Sequence, residues 1–318
     1  MIKSYRDFLL EDAASDLENK FDTLTSKLKD LTGLDLGGKK PEEKSGDSEE
    51  GKSSNTNPNS KAAQMIKLPQ TSKTTSQTNT GSTAGGEVKS NFSGTKKEMV
   101  DLVIKYLNKY QITNPLIQKA ILSTIGKESG FQTFKETSYK GTSPSRIRSI
   151  FGSRFSGMTD EEINKVKQDD NAFWEKVYGG EWGEKNLGNT QPGDGAKYVG
   201  RGFNGITGRG NYKKYNDLLK KNGVSADIIT NPNLLNTDKE IAAEVNALFF
   251  KEGLANPTIK RKYGNLDPNS FKDFNTALKA AVNVNAGPAN DINQGFHKET
   301  YNKAVAASNQ FDIDTKTA

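Results

Sequence analysis

The sequence contains no cysteine and a single histidine, His297. Thiolate zinc sites, disulfide scaffolds and cysteine nucleophiles are therefore excluded. Multi-histidine metal centres are excluded with them, and a serine triad would have one imidazole to draw on. No apolar run approaches the roughly 18 residues a membrane span requires. The N-terminus lacks the apolar core and small-residue end of a signal peptide, so work outside a cytoplasm would need another route of delivery. Hydrophobic residues are 32% and aromatics 8% of the 318 residues, and mean hydropathy is −0.77. So apolar-poor a chain is expected to leave part of its length outside any packed core.

That part is easily located. No aromatic residue occurs between Phe21 and Phe92, and residues 37–92 hold only Met65, Ile66, Leu68 and Val88 as large aliphatic side chains. Burial there cannot offset the entropy of ordering, which predicts a disordered linker over 37–92 with a mean reach of roughly 40 Å. Before it, Leu10, Ala14, Leu17, Phe21, Leu24, Leu28 and Leu31 alternate in steps of four and three. That is the seam of a short coiled coil, or the apolar face of one amphipathic helix within residues 1–36.

From residue 93 the pattern becomes that of successive helices. Thr95-x-x-Glu98, Thr159-x-x-Glu162 and Thr237-x-x-Glu240 are capping-box sequences, and Asn114-Pro115 pairs an N-cap with proline at the first helical position. Apolar spacing marks further helices through Tyr212–Leu219, Phe271–Val282 and Ile292–Phe296, with Gly223 and Gly253 as stops. Alternating strand patterns are scarce. The expectation is a mostly α domain over 93–308, an irregular stretch near 179–210, and a flexible tail at 309–318.

The formal charge is +6, with acidic excess confined to residues 1–36. A basic body suits a polyanionic partner, either an acidic wall polymer or nucleic acid, and equally suits plain solubility. The candidate chemistry starts at Glu128. It continues the inward face of Ile117, Ile121, Thr124 and Ile125, and it stands in the last helical turn before Gly130. Partial burial and the negative end of the helix dipole both disfavour its charged form, the condition a general acid needs. A surface glutamate paired with Lys127 or Lys135 is the plainer reading. Glu136 follows eight residues later. Two carboxyls leaving one helix end can flank a site, and an inverting glycosidase needs them about 6.5–9.5 Å apart. The segment from Leu187 to Tyr212 carries eight glycines, at 188, 193, 195, 200, 202, 205, 208 and 210. It has no GxxxxGK[ST] and no strand leading into it, which argues against a phosphate loop. A glycine-rich wall for a sugar, with Tyr198, Thr207 and Asn211 as stacking or hydrogen-bonding groups, fits better.

These residues, in order, resemble glycoside hydrolase family 19, in its phage and bacterial endolysin branch. Gly200-Arg201-Gly202, Ile206-Thr207-Gly208-Arg209 and Asn211-Tyr212 resemble its signature. Lys127-Glu128-Ser129-Gly130-Phe131 resembles the end of its catalytic helix, and Glu136-Thr137-Ser138-Tyr139 the carboxylate that follows. Ser145-Arg146-Ile147, Val177-Tyr178-Gly179-Gly180, Leu187-Gly188-Asn189, Asn231-Pro232 and Val284-Asn285-Ala286-Gly287 extend the match across 120–303. The resemblance implies a lysozyme-like α-helical fold with a deep cleft, an inverting mechanism, and no metal or cofactor. It implies Glu128 as general acid, Glu136 as the carboxylate activating water, and Thr207 as the hydroxyl holding that water. It implies Asn211 and Asn285 as amides that bind the sugar, with Asn204 standing in for a missing glutamine; Tyr198 and Arg201 complete the expected substrate-binding residues. The sequence departs from the family at Lys127, which replaces a histidine, at one missing glycine before Phe131, at Gly205 in place of glutamine, and at Ala286 in place of glycine. The implied activity is peptidoglycan hydrolysis, with chitinase or a non-catalytic glycan-binding virion protein as alternatives.

Residues 1–11, ending Leu9-Leu10-Glu11, are similar to the capsid-targeting peptide of internal head proteins in large contractile-tailed phages. There a protease cuts after a Leu-x-Glu triplet. A helix that docks on virion proteins is the alternative. Either implies a phage virion or host cytoplasm as the location, with action in the periplasm.

Overall fold

A computed structural model describes residues 86–264, 267–287 and 295–315. The N-terminal helix, the targeting peptide, nearly all of the linker and Ile292 lie outside the described residues. Among the described residues the fold is mostly helical, with thirteen α-helices and four short strands.

Helix α1 (Gly94–Lys109) starts from Ser93 rather than from Thr95, and no side chain caps it. Helix α2 (Pro115–Ser129) begins as the sequence predicts, the Asn114 side chain accepting from the Leu116 amide at 2.8 Å. It is the central element. Ile117, Ala120, Ile121, Leu122, Ser123, Thr124 and Ile125 are all fully buried. It packs against α12 (Phe274–Ala286) and α13 (Gly295–Ser308). Ala277, Ala280 and Ala281 of α12 are fully buried, small enough to allow close helix approach. Helix α10 (Lys239–Leu254) packs against α1 and α12. Its N-cap is Asp238, which accepts from the Glu240 and Ile241 amides, while Thr237 ends the short helix α9 (Leu234–Thr237). Gly253 does not stop α10. A Cβ there would overlap Val284 Cγ1, so glycine serves the α10–α12 contact.

A second hydrophobic cluster is separate from the one around α2. It joins α3 (Pro144–Phe151), α4 (Asp160–Val166), α5 (Asp170–Tyr178) and α6 (Gly180–Leu187). Thr159 and Glu162 form the expected capping box at α4, with contacts of 3.2 and 2.7 Å. Aromatic rings dominate this cluster: Phe151, Phe155, Phe173, Trp174 and Tyr178 are 3% exposed or less. Tyr178 stacks on Trp174 with centroids 5.4 Å apart. The stretch expected to be irregular contains α6 and a helical turn, α7 (Asp194–Lys197). Beyond it, α8 (Arg209–Lys221) ends at Asn222, with Gly223 following at φ 78°. The remaining helix, α11 (Pro257–Tyr263), follows α10.

The strands correct both ends of the predicted domain. Strand β1 (Gly86–Ser90) falls inside the expected linker, and β4 (Phe311–Thr315) inside the expected tail. They pair antiparallel from Gly86 with Thr315 to Ser90 with Phe311. Phe92 and Phe311 then meet Phe131 edge-on, with centroids 5.6 to 5.8 Å apart. The second pair is minimal. Strand β2 (Phe134–Lys135) lies antiparallel to β3 (Arg201–Gly202).

Candidate active site

The loop Gly200–Thr207 is closed on itself. Arg201 and Ile206 exchange backbone hydrogen bonds of 3.2 and 2.8 Å. Gly202 and Gly205 hold the tight turn between them at φ 84° and 64°, a region where a side chain is strained. Arg201, 3% exposed, fixes the loop from beneath. Its guanidinium donates to the carbonyls of Lys197 and Val199, to Tyr212 Oη and to Asn233 Oδ1. These bonds, made by Nε and Nη1, brace the loop against α7 and α8.

Glu136 follows β2 directly and is bonded to one end of that loop. Its backbone amide donates to the Gly200 carbonyl at 2.9 Å. Its Oε2 accepts from the Gly200 amide at 2.7 Å, and its Oε1 accepts from Tyr178 Oη at 2.7 Å. Enclosure by protein pushes the Glu136 carboxyl above the usual carboxylate range. The Tyr178 hydroxyl, the Gly200 amide and the Arg201 charge act against that rise. Thr207, 3% exposed, is adjacent. A Cβ on Gly200 would stand 3.1 Å from both Glu136 Oε2 and Thr207 Oγ1, so the two oxygens converge over a residue that has no side chain. Thr207 Oγ1 donates to the Gly205 carbonyl at 2.8 Å, and its own carbonyl accepts from Asn211 Nδ2 at 2.9 Å.

Glu128 is tied to the tip of the same loop. It stands in the last turn of α2, which closes on Gly130 at φ 58°. Its side chain is 10% exposed, so it is sheltered as the apolar face requires. It is also ion-paired with Lys127, so the plainer sequence reading is realised as well, but in a sheltered place. Asn285, in the last turn of α12, donates from Nδ2 to Glu128 Oε1 at 2.9 Å. Asn204 Nδ2 donates to Asn285 Oδ1 at 2.7 Å, and Asn246 of α10 donates to Asn204 Oδ1. Burial raises the Glu136 carboxyl, an effect that the sequence argument did not assign to it.

The structure brings Glu128, Asn285 and Asn204 into one hydrogen-bonded set; Asn211 is bonded to Thr207, and Glu136, bonded to Gly200, stands beside Thr207 without a hydrogen bond to it. Tyr198 belongs to neither. It is fully buried, donates from Oη to the Ile229 carbonyl at 3.1 Å, and packs on Tyr212 with centroids 5.0 Å apart. Its ring offers no face for a sugar. Sequence reasoning passed over Tyr178, which is placed against Glu136 by the distant aromatic cluster, and Asn246. A polar residue among Ile241, Val245 and Leu248 on α10 was the one available signal for the latter. Among the described residues no cluster of acidic and histidine side chains suits a metal ion. No described helix is long and apolar enough to cross a membrane. No protein-family model and no curated protein matches the chain, so the functional reading rests on the residues themselves.

Proposed function

We propose that this protein is a phage peptidoglycan hydrolase that cleaves β-1,4 glycosidic bonds by an inverting, two-carboxylate mechanism on a lysozyme-like helical fold. One observation carries the reading: Glu128 and Glu136 are hydrogen-bonded, through Asn285–Asn204 and through Gly200, to the tip and the base of one short loop. That arrangement supports two carboxyls facing a common glycan. Glu128 protonates the leaving oxygen. Glu136 takes a proton from a water held with Thr207, and that water attacks the opposite face of the sugar. No metal or cofactor is needed for this step. Residues 1–36 would attach the enzyme to virion proteins, and the basic body would favour an anionic wall. A virion, or the host cytoplasm before lysis, is the corresponding location.

A reversal of roles has an observation of its own. Glu136 is the carboxyl that burial favours in its protonated form, and an ammonium stands against Glu128. On that reading Glu136 is the acid and Glu128 the base.

The test uses the full chain, wild type beside Glu128→Gln and Glu136→Gln, on purified Gram-negative peptidoglycan. Released fragments are read by mass spectrometry before and after borohydride reduction. Reducible muramic-acid ends from the wild type alone establish a muramidase, and reducible N-acetylglucosamine ends a glucosaminidase. Release from chitin oligomers alone makes it a chitinase. Binding without release by all three proteins makes it a glycan-binding virion component and overturns the proposal. An aryl glycoside with a good leaving group separates the roles, because its hydrolysis survives loss of the acid and not loss of the base.

A further inference from the structure

We propose that Asn246 is a positioning residue for the candidate active site, acting on Glu128 through Asn204 and Asn285. The inference rests on the functional reading above and adds to it a residue that touches no substrate.

Glu128 Oε1 accepts from Lys127 Nζ, so it is an acceptor and Asn285 must present Nδ2 to it, as it does at 2.9 Å. Its Oδ1 then faces away and takes the Asn204 Nδ2 donor at 2.7 Å. Asn204 in turn presents Oδ1 to Asn246, which supplies Nδ2. Three amides therefore point their donors the same way, toward Glu128. Each link fixes the orientation of the next, because turning any one amide over places two carbonyl oxygens or two NH2 groups face to face. Hydrogen bonds aligned head to tail also polarise one another toward the terminal acceptor.

The relay spans elements that sequence proximity does not join. Asn246 is on α10, Asn204 at the loop tip, Asn285 on α12 and Glu128 on α2. Asn204 sits in a turn built with Gly202 and Gly205 and is partly exposed. Asn246 is 2% exposed on a packed helix, so it is the rigid anchor of the series. Its own Oδ1 is buried without a hydrogen-bond partner. A buried carbonyl left unsatisfied is unfavourable, and an apolar side chain would pack there without that penalty. An amide at this place is thus explained by what its NH2 group does for Asn204.

The experiment has two arms. In the first, side-chain amide signals of the full chain, 15N-labelled at asparagine, are compared between wild type and Glu128→Gln. The expected result is displacement of the Asn285, Asn204 and Asn246 NH2 signals together. Displacement of Asn285 alone overturns the relay. This arm needs no catalysis, so it stands even if the wild type releases nothing from peptidoglycan and the functional reading fails. In the second, Asn246→Asp keeps size and shape and removes the donor. With folding confirmed by its melting curve, kcat is expected to fall about tenfold, with KM within about twofold, as for an outer partner that orients a reacting group. Asn204→Asp, at a partly exposed loop position, also ends the relay. It should give the same loss, and the double variant should lose no more than either alone. Unchanged kcat in both folded single variants, or fully additive losses, overturns the proposal.

Discussion

Glu136 and Gly200 hold each other twice, the Glu136 amide on the Gly200 carbonyl at 2.9 Å and the Gly200 amide on the Glu136 carboxylate at 2.7 Å. The clasp makes Gly200 a determinant of where Glu136 and Thr207 stand. A methyl group at 200 would lie 3.1 Å from the Glu136 carboxyl and from Thr207 Oγ1, tighter than ordinary contact. Gly200→Ala should displace both oxygens by a few tenths of an ångström. We expect kcat to fall by about tenfold or more, with stability reduced by only about 1 kcal/mol. Steady-state kinetics beside urea denaturation separates the two.

The raised Glu136 carboxyl has a definite sign in stability. Its folded-state pKa lies above the ordinary carboxylate value, so the folded protein holds the proton more tightly than the unfolded chain. This group's contribution is present at low pH and is lost as pH rises from the ordinary carboxylate range through the folded value. Glu136→Gln should lose that slope, and urea melts across the acidic range would show the difference.

The same titration reports catalytic role. Tyr178 Oη donates to Glu136 and holds its pKa down, so Tyr178→Phe should move the Glu136 midpoint to higher pH. If Glu136 is the base, the acidic limb of the pH–rate profile moves. If it is the acid, the alkaline limb moves. A profile unmoved on both limbs would separate Glu136 from the reaction.

Phe92, which follows β1, packs on Phe131 in the segment between the two carboxyls. Phe131 adopts φ 66°, strained for a side-chain-bearing residue, and is held by the edges of Phe92 and Phe311. A chain starting at residue 86 should melt like the full protein. One starting at residue 93 loses β1, Val88 and Phe92. It should be less stable by about 3 kcal/mol, and less active because Phe131 lies between Glu128 and Glu136.

Gly253→Ala should cost about 2 kcal/mol, since its methyl would overlap Val284. Val284 precedes Asn285, so activity should fall as well. Val284→Ala in the same chain should restore part of both, measured by denaturation and kinetics.

Much of the helical layout was legible because local rules govern it. Asn114–Pro115 starts α2 and Thr159–Glu162 boxes α4 through contacts a few residues apart. Where two local signals competed, sequence failed by one or two residues: Ser93 displaced Thr95, and Asp238 displaced Thr237. The 200–211 segment stood out through its glycines, and the two candidate carboxyls through their relation to one helix end.

Other features depend on chain segments that only folding brings together. Five residues at each end of the domain lack a strand pattern strong enough to read alone, yet β1 and β4 complete each other. Gly253 looks like a helix stop until Val284 is placed against it. Tyr198 and Asn211 look alike as glycan groups, but the core takes the first and leaves the second partly exposed. The sequence by itself determined which residues can donate, accept or ionise, and which short segments coil. Tertiary structure decided that burial raises the Glu136 carboxyl, which amide faces which oxygen, and which aromatic rings are enclosed. Those outcomes depend on desolvation and hydrogen-bond direction, which arise from groups distant in the chain.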